Sequence, residues 1–535
     1  VIKFLLLREN IFYLSVKKMA KTTFNTSLFI LNFCFICTFP INSYSQAGEL
    51  DLGFGIDGIV KTDFGTTNDD KSYAVLVQPD GKIITAGYTF TTFSNDFAVA
   101  RYNYDGSLDV DFGTDGLVTI DFNGEKDFGY AAQLQPDGKI LVAGTKCCFD
   151  DFGMIRLNTD GTLDNTFGGD GKVETDFFGN LDNGLSIAIQ TDGKIVMGGE
   201  AYGADRMFGL IRFNADGTID DSFGVDGKVT TDVGIGHDYL KSITLQADGK
   251  ILAGGYYDTE GSDYHDYAIV RYNTDGTIDN SFGVDGFVKQ DIYHDQDFGF
   301  SIKTDADDNV LLAGYSDTVD GKYFTILRYT SAGLLDNTFG ENGITTINFG
   351  DISYCKDIVL QPDGKIILAG FKVITDPDYE IALTRLNTDG KIDTSFGENG
   401  LVITDVGPEA DYVYAVALQP DSKILAAGYI YNAGYDFLML RYTGDKKVAI
   451  HNNLPNEQII AVNPNPFNDQ FAITKYNSNS NKGELVMYNL SGQTLLKEII
   501  NNSETLIDAG KYPSGIYFLK YTEGNFVQNI KIIKN

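Results

Sequence analysis

Residues Leu108–Gly144 read L-D-V-D-F-G-T-D-G-L-V-T-I-D-F and then, after a variable stretch, L-Q-P-D-G-K-I-L-V-A-G. A version of this pattern returns seven times. Its Phe-Gly pair stands at Phe54-Gly55, Phe112-Gly113, Phe167-Gly168, Phe223-Gly224, Phe282-Gly283, Phe339-Gly340 and Phe396-Gly397. Its second half centres on Asp80, Asp137, Asp192, Asp248, Asp307, Asp363 and Asp421, a mean spacing of about 57 residues. A fixed period of this size sets the architecture before any local motif is weighed.

Each repeat holds four short runs of strand length. In the first they are Ile59–Phe64, Tyr73–Gln78, Lys82–Tyr88 and Phe97–Asn103, bounded by Gly, Asp and Pro. Pro79-Asp80-Gly81 is a tight turn, with Pro presetting φ and Gly free to take a positive one. The pattern predicts an all-β chain in which each repeat is one antiparallel meander. Seven such meanders packed radially bury faces that one would leave exposed, which makes residues 46–444 a seven-bladed β-propeller. The last repeat stops after Arg441-Tyr442-Thr443-Gly444 and lacks its L-D-x-x-F-G tail, while Leu50-Asp51-Leu52-Gly53-Phe54-Gly55 supplies that piece at the other end. The N-terminus is therefore expected to latch the ring. An open solenoid is the alternative, but it leaves the complementary ends without a reason. The pattern does not fix which strand lines the axis.

Parity carries the reading toward function. Connections one-to-two and three-to-four leave a meander on one side of the ring; the two-to-three turn and the link between repeats leave on the other. The second side carries the recurring P-D-G and N-x-D-G segments. The first carries what varies, such as Thr145–Asp151, Tyr257–Asp266 and Lys372–Glu380. Binding residues gather on variable loops held by a rigid scaffold, so this side is the candidate functional face.

The 535-residue chain has a formal charge of −33. Residues 1–45 carry five basic and one acidic residue, and residues 459–535 carry seven Lys against six acidic residues, so the acidic excess lies in 46–458. Such a surface repels nucleic-acid phosphates and anionic lipid. Of the five cysteines, Cys34 and Cys37 fall in an N-terminal apolar run, and Cys147, Cys148 and Cys355 form neither a disulfide framework nor a zinc spacing. Lys17, Lys18 and Lys21 precede an apolar run from Leu28 to Ile41, followed by Ser43-Tyr44-Ser45. Residues 1–45 thus read as an extension and signal peptide with cleavage after Ser45. The run is too short to span a membrane, and no other stretch is a candidate.

Two charged positions recur with the period. Arg101, Arg156, Arg212, Arg271, Arg328, Arg385 and Arg441 each end a repeat's fourth run. Asp109, Asp164, Asp220, Asp279, Asp336 and Asp393 follow in the links, and Asp51 holds the position at the N-terminus. Arg–carboxylate pairs pinning each link are expected, and a feature common to all repeats is framework. No motif requires a cofactor. Calcium is the one the pattern allows, at Asn158, Asp160 and Asp164, whose spacing partly resembles a calcium loop; an Asx turn is the expected reading. His237, His265 and His294 each precede an Asp in the variable connections of repeats four and five, with Tyr257 and Tyr264 nearby. These five are the candidate binding residues. No catalytic arrangement is visible.

The string L-Q-P-D-G-K-I-L-V-A-G, followed by D-F-x-x-x-R-x-N-x-D-G-x-x-D-x-x-F-G, resembles the delta-60 repeat, a β-propeller family of secreted bacterial proteins with no catalytic residues to transfer. The resemblance covers about residues 50–444. Departures are local: Asp305–Val310 replaces Q-P-D-G-K-I, Ser422 replaces Gly, and Ser331-Ala332-Gly333 weakens one turn. After a linker at 445–458, residues 459–535 read as a small Ig-like β-sandwich. Within it the order Pro464-Asn465-Pro466-Phe467, Leu490-Ser491-Gly492-Gln493, Pro513-Ser514-Gly515-Ile516-Tyr517-Phe518 and a closing Ile532-Ile533-Lys534 closely resembles the type A C-terminal sorting domain of the type IX secretion system. That resemblance implies that the type IX machinery is a partner, and that the chain is exported to the surface of a Gram-negative bacterium or released. Three function classes stay open. A monomeric binding or adhesion module for an extracellular glycan or protein is the leading one. A surface hydrolase or lyase acting on polysaccharide or peptide is the second, and a structural surface component without a discrete ligand the third.

Overall fold

The structure, a computed structural model, describes residues 46–445 and 460–534 apart from short segments at 66–68, 92–93, 123, 125, 147–150, 260–263, 351, 376, 433, 464–466, 476–481, 490–493, 503, 514 and 524–525. The expected signal peptide, Cys147, Cys148, and Pro464, Asn465, Pro466 and Gly492 of the sorting motif lie outside the described residues.

The described residues hold strands and no helix. The first four-stranded sheet runs Asp70–Val77, Ile83–Phe90, Asn95–Tyr102 and Leu117–Ile120 in spatial order, each strand antiparallel to its neighbour. Six more units repeat this order. Their first strands are Asp127–Leu134, Asn183–Ile189, Asp238–Leu245, Asp297–Thr304, Ile352–Leu360 and Asp411–Leu418. Each of these first strands packs against the first strand of the next unit, and the last packs against Asp70–Val77, so they form the inner ring of a closed propeller. Sheets five and six are also joined by a parallel bridge between Lys322 and Ile352.

One expectation is corrected. A sheet is not one sequence repeat: the first run of every repeat is the outermost strand of the preceding sheet. Ile59–Thr62 does not pair with Asp70–Val77 but lies antiparallel to Phe437–Leu440 and completes the seventh sheet. The reason is local. The L-D-x-x-F-G-x-D-G link is a compact double turn that folds the next run back on the strand before it, with Asp109 N donating to Arg101 O and Arg101 N to Gly116 O. The shift by one strand leaves the parity of the connections unchanged, so the variable connections still share one side.

The repeated charges clasp one sheet to the next. Arg101 Nε meets Asp109 Oδ2 at 2.6 Å, and Lys82 Nζ meets the same oxygen at 2.7 Å. The Arg101 guanidinium covers the Phe112 ring and donates to Thr159 O of the next link. The arrangement recurs at Arg156, Arg212, Arg271 and Arg328, and at Arg441, which reaches Asp51 at 2.8 Å and Tyr104 O. Arg385 instead holds the Asp445 carboxylate at 2.8 and 2.9 Å. Beside the clasp, Gly113 N donates to Asp160 O across the joint, and Gly397 N closes the series onto Ala47 O. Apolar side chains fill the wedge between sheets, as where Phe97, Phe112 and Phe122 meet Ile140, Val142 and Leu157.

Residues 460–534 form a three-stranded sheet (Ile460–Asn463, Gln470–Lys475, Glu504–Asp508) and a four-stranded one ordered Thr494–Ile500, Gly483–Tyr488, Gly515–Glu523, Phe526–Lys534. They enclose one core that includes Phe471, Leu485, Leu519 and Ile532.

Candidate functional site at the propeller axis

The inner strands share an irregularity. Each slips register by one residue, at Tyr73, Tyr130, Leu185, Lys241, Phe300, Lys356 and Tyr414. A β-bulge leaves one residue outside the ladder and re-aims its side chain. The facing strand accommodates it with the Gly of I-L-V-A-G. A Cβ on Gly144 would lie 1.8 Å from Phe128 O and one on Gly255 1.9 Å from Tyr239 O, with the same clash at Gly87, Gly199, Gly314, Gly370 and Gly428. A strand-interior Gly marks such a close backbone approach.

All seven bulge residues line one axial cavity of about 570 Å³. That is within the range of about 300–1,000 Å³ for small-ligand pockets. The framework is seven-fold and the side chains are not: three Tyr, one Phe, one Leu and two Lys. Around the mouth on the variable side runs a chain of touching rings. It passes from Tyr239 through Tyr256, Phe298, Tyr315, Tyr354, Phe371, Tyr412 and Tyr429 to Tyr73, Tyr88 and Phe128, with centroid separations between 4.5 and 5.9 Å. At the third sheet Asn183 and Glu200 replace the rings. Glu200, 2% exposed, receives Lys241 Nζ at 2.5 Å and Asn183 Nδ2 at 3.2 Å.

Lys356 stands apart. Its ammonium lies 3.8 Å from the Phe300 ring centroid and between 5.6 and 5.7 Å from those of Tyr315, Tyr354, Phe371 and Tyr414. Burial among these rings, with the charge of Lys241 as a second cause, pushes its pKa down to about 7. Among the described residues no carboxylate lies within 4.0 Å of its Nζ. The adjacent Asp357 is committed elsewhere: it accepts Ser301 Oγ at 2.7 Å and Val416 N at 2.9 Å, bridging sheets five, six and seven.

The residues singled out in the sequence lie on the variable side, where the His265 ring packs against the rim rings of Tyr239, Tyr256 and Phe298 at 5.6, 5.2 and 4.9 Å. His237 precedes the fourth inner strand; its Nδ1 accepts Arg206 N at 3.2 Å and its own N–H donates to Asp258 Oδ2 at 3.0 Å. His265 opens the third strand of that sheet, with Nδ1 2.8 Å from Asp258 Oδ1. His294 is exposed and binds Asp291 at 2.5 Å. Tyr257 donates to Asp266 at 3.2 Å, and Tyr264 is 48% exposed. His237 and His265 thus share Asp258, while His294 and Tyr257 turn to other carboxylates. On the opposite side, the calcium-loop residues are turned inward on the link itself. Asp160 accepts Thr162 N and Oγ1, Asn158 donates to Thr162 Oγ1, and Asp164 is paired with Arg156 and Lys139.

Other carboxylates do converge. An Asp opens the inner strand in five sheets, at Asp70, Asp127, Asp238, Asp297 and Asp411, and immediately precedes it in a sixth, at Asp182; each accepts a backbone N–H from the preceding connection. Burial raises the pKa of Asp70 to about 6, of Asp182, Asp238 and Asp411 to about 7, and of Asp297 to about 8. With two neighbours each, four groups form whose oxygens lie within 4.8 Å: Asp63/Asp70/Asp436, Asp96/Asp121/Asp127, Asp151/Asp176/Asp182 and Asp266/Asp291/Asp297. The spacing is one a metal ion could bridge, but acidic groups are common without one.

In the C-terminal domain Lys534, 7% exposed, donates to the carbonyls of Ala509, Gly510 and Tyr512 at 2.8–3.1 Å. Tyr517 Oη donates to Pro513 O at 2.5 Å, and Gly515 begins the same strand.

Comparison with known proteins agrees with this organisation. The domain of unknown function DUF5122 beta-propeller matches at residues 78–112, 135–167, 190–223, 246–282, 361–396 and 419–445. The repeat between the fourth and fifth matches is the one in which Asp305–Val310 and Ser331 depart from the pattern. A secretion system C-terminal sorting domain matches residues 461–535. The chain therefore carries delta-60-type propeller repeats and a sorting domain that directs it to the cell surface or the extracellular space of a Gram-negative bacterium. No curated protein matches. Among solved structures it is similar to PorZ, a surface component of the type-IX secretion system of Porphyromonas gingivalis, at 12% identity and TM-score 0.37, covering 88% of this chain and 60% of that one. It is also similar to the polysaccharide lyase Uly1 (12%, TM-score 0.41, 72% and 93%) and to Drosophila Semaphorin 2a (8%, TM-score 0.41, 92% and 98%). The chain thus spans less than two thirds of PorZ. These likenesses are loose.

Proposed function

We propose that this secreted propeller is a non-catalytic binding module whose ligand enters the axial cavity from the side carrying the variable connections. One observation carries the reading. A bulge repeated in all seven inner strands delivers one side chain per sheet to the axis, and there the repeat gives way to Tyr, Phe, Leu and Lys. A framework held constant while the groups it presents differ is the arrangement of a recognition site on a rigid scaffold. Flat phenol rings with polar tips suit a saccharide or peptide ligand. A structural surface component would have no use for an uneven axial ring.

Glycan and peptide arrays with the chain from residue 46 onward test this. Specific binding without turnover, lost in Phe300→Ala and Tyr414→Ala proteins that still melt cooperatively, is the expected result. Turnover of a bound compound, abolished by Lys356→Met, would overturn the non-catalytic reading.

A further inference from the structure

We propose that the axial cavity, taken as the binding site above, selects a short acidic saccharide, with the Lys356 ammonium receiving a carboxylate of the sugar unit that enters the axis.

The charged groups lining the cavity are Glu200, Lys241, Lys303, Lys356 and Asp357. Glu200 is paired with Lys241 at 2.5 Å and with Arg206 at 3.5 Å, and both Asp357 oxygens already accept protein hydrogen bonds. Among the described residues neither Lys303 nor Lys356 has a carboxylate within 4.0 Å, and of the two it is the Lys356 ammonium that is shut among ring faces. Ring faces attract the ammonium but accept none of its N–H groups in a strong hydrogen bond, which a carboxylate does in a site shielded from water. An incoming carboxylate therefore gains a partner without breaking an existing ion pair. The walls beside the ammonium are Phe300 and Tyr414, whose faces can stack on the C–H face of a pyranose while Tyr73 and Ser242 offer hydroxyls. Whole-chain charge limits the ligand's length. At −33, the acidic coat repels a long polyanion, whereas a short oligosaccharide presenting one carboxylate meets that repulsion once and the ammonium directly.

Proton linkage gives a second signature. The charged and titratable groups facing Lys356 are Lys241 across the channel, Lys303 on the fifth inner strand, Asp357 and Cys355 beside it, and the phenols of Tyr315, Tyr354 and Tyr414. Burial raises all three phenols and the Cys355 thiol above their ordinary range, so they stay neutral at the pH of the measurement. A carboxylate docking on Lys356 favours its ammonium form, so binding above neutral pH takes up a proton.

The test is calorimetry on a panel of uronate-containing disaccharides, each paired with its methyl ester, at about pH 8 in two buffers of different ionisation enthalpy. Peptides with a free C-terminal carboxylate serve as a further arm. The expected result is at least one acid that binds about tenfold or more tighter than its ester. That preference should come with proton uptake. Both should vanish in Lys356→Met and the preference should persist in Lys356→Arg, with all proteins unfolding cooperatively. If no acid outbinds its ester, or the preference survives in Lys356→Met, the assignment is wrong. If peptide carboxylates bind through Lys356 and uronates do not, the saccharide class is wrong. Uncharged ligands lost on Phe300→Ala but indifferent to Lys356→Met would refute the acidic ligand and leave the axial site standing.

Discussion

Lys356 is the residue at which the site can be tested without knowing its ligand. An ammonium shut among rings is less easily protonated in the folded chain than in the unfolded one, and its pKa of about 7 lies below the ordinary 10.5. The unfolded chain then holds more protons between these values, so stability rises as pH climbs from about 7 to 10.5, and the penalty is fully present below that window. Lys356→Met removes it. The variant is expected to melt higher than the parent at about pH 6, with the gap shrinking toward about pH 10; an equal gap at both ends would contradict the enclosure of the ammonium. The buried aspartates at the inner-strand starts act in the opposite sense. Their folded pKa values stand above 3.8, so the folded chain holds more protons, and stability falls as pH rises from about 4 to 8. Melting followed by circular dichroism in the presence of a chelator is expected to show this decline, made shallower by Asp238→Asn. An unchanged slope in that variant would show that its carboxyl does not titrate in this window.

At the scale of the strand, the bulge is what turns a repeat into a site. It depends on the bare backbone of the facing Gly. Gly255→Ala would set a methyl carbon 1.9 Å from Tyr239 O, so the bulge must flatten or the sheet must part. Overpacking of this order costs about 1–3 kcal/mol or more. We expect a lowered melting temperature and lost ligand binding together, whereas Ala at the turn residue Gly65, which has open space around it, should add only local backbone strain and spare binding. The framework was legible in the chain: the spacing implied the sheets, the complementary ends the latch, and the periodic Arg and Asp the pairs. Their further reach to the next link was not, because Thr159 O and its counterparts are backbone atoms that no side-chain pattern encodes. The axial ring was hidden for a physical reason. A bulge adds one residue without disturbing the apolar alternation on either side, so Tyr73 and Lys356 read as ordinary strand positions. The signal was the Gly of I-L-V-A-G, a strand-interior glycine in every sheet, together with the variable position three residues after the inner-strand Asp. Of the rarer residues that stand out in the sequence, His265 packs against the rim rings, while His237 and His294 bind carboxylates and backbone on the variable connections.

The whole molecule joins a propeller, proposed to bind at its axis, to a sorting domain. The sorting domain closes with Lys534 buried against three carbonyls, which locks the end of its last strand. Deleting residues 459–535 is expected to trap the propeller in the periplasm, folded and soluble, as fractionation would show; arrival of the truncated chain at the surface would sever the domain from export. The propeller itself closes through its first residues, with Gln46–Thr62 bound to the seventh sheet and to Gly397. The axis is thus shaped by contributions from both ends of the ring, and a ligand there contacts every sheet at once. The central claim is that recognition occurs at this axis and not on the outer loops. A crystal structure of the chain with the tightest compound found on the arrays decides it. Ligand density bounded by Tyr73, Phe300, Lys356 and Tyr414 is the expected result; density confined to the outer connections around Tyr264 and His294, with an empty axis, would contradict it.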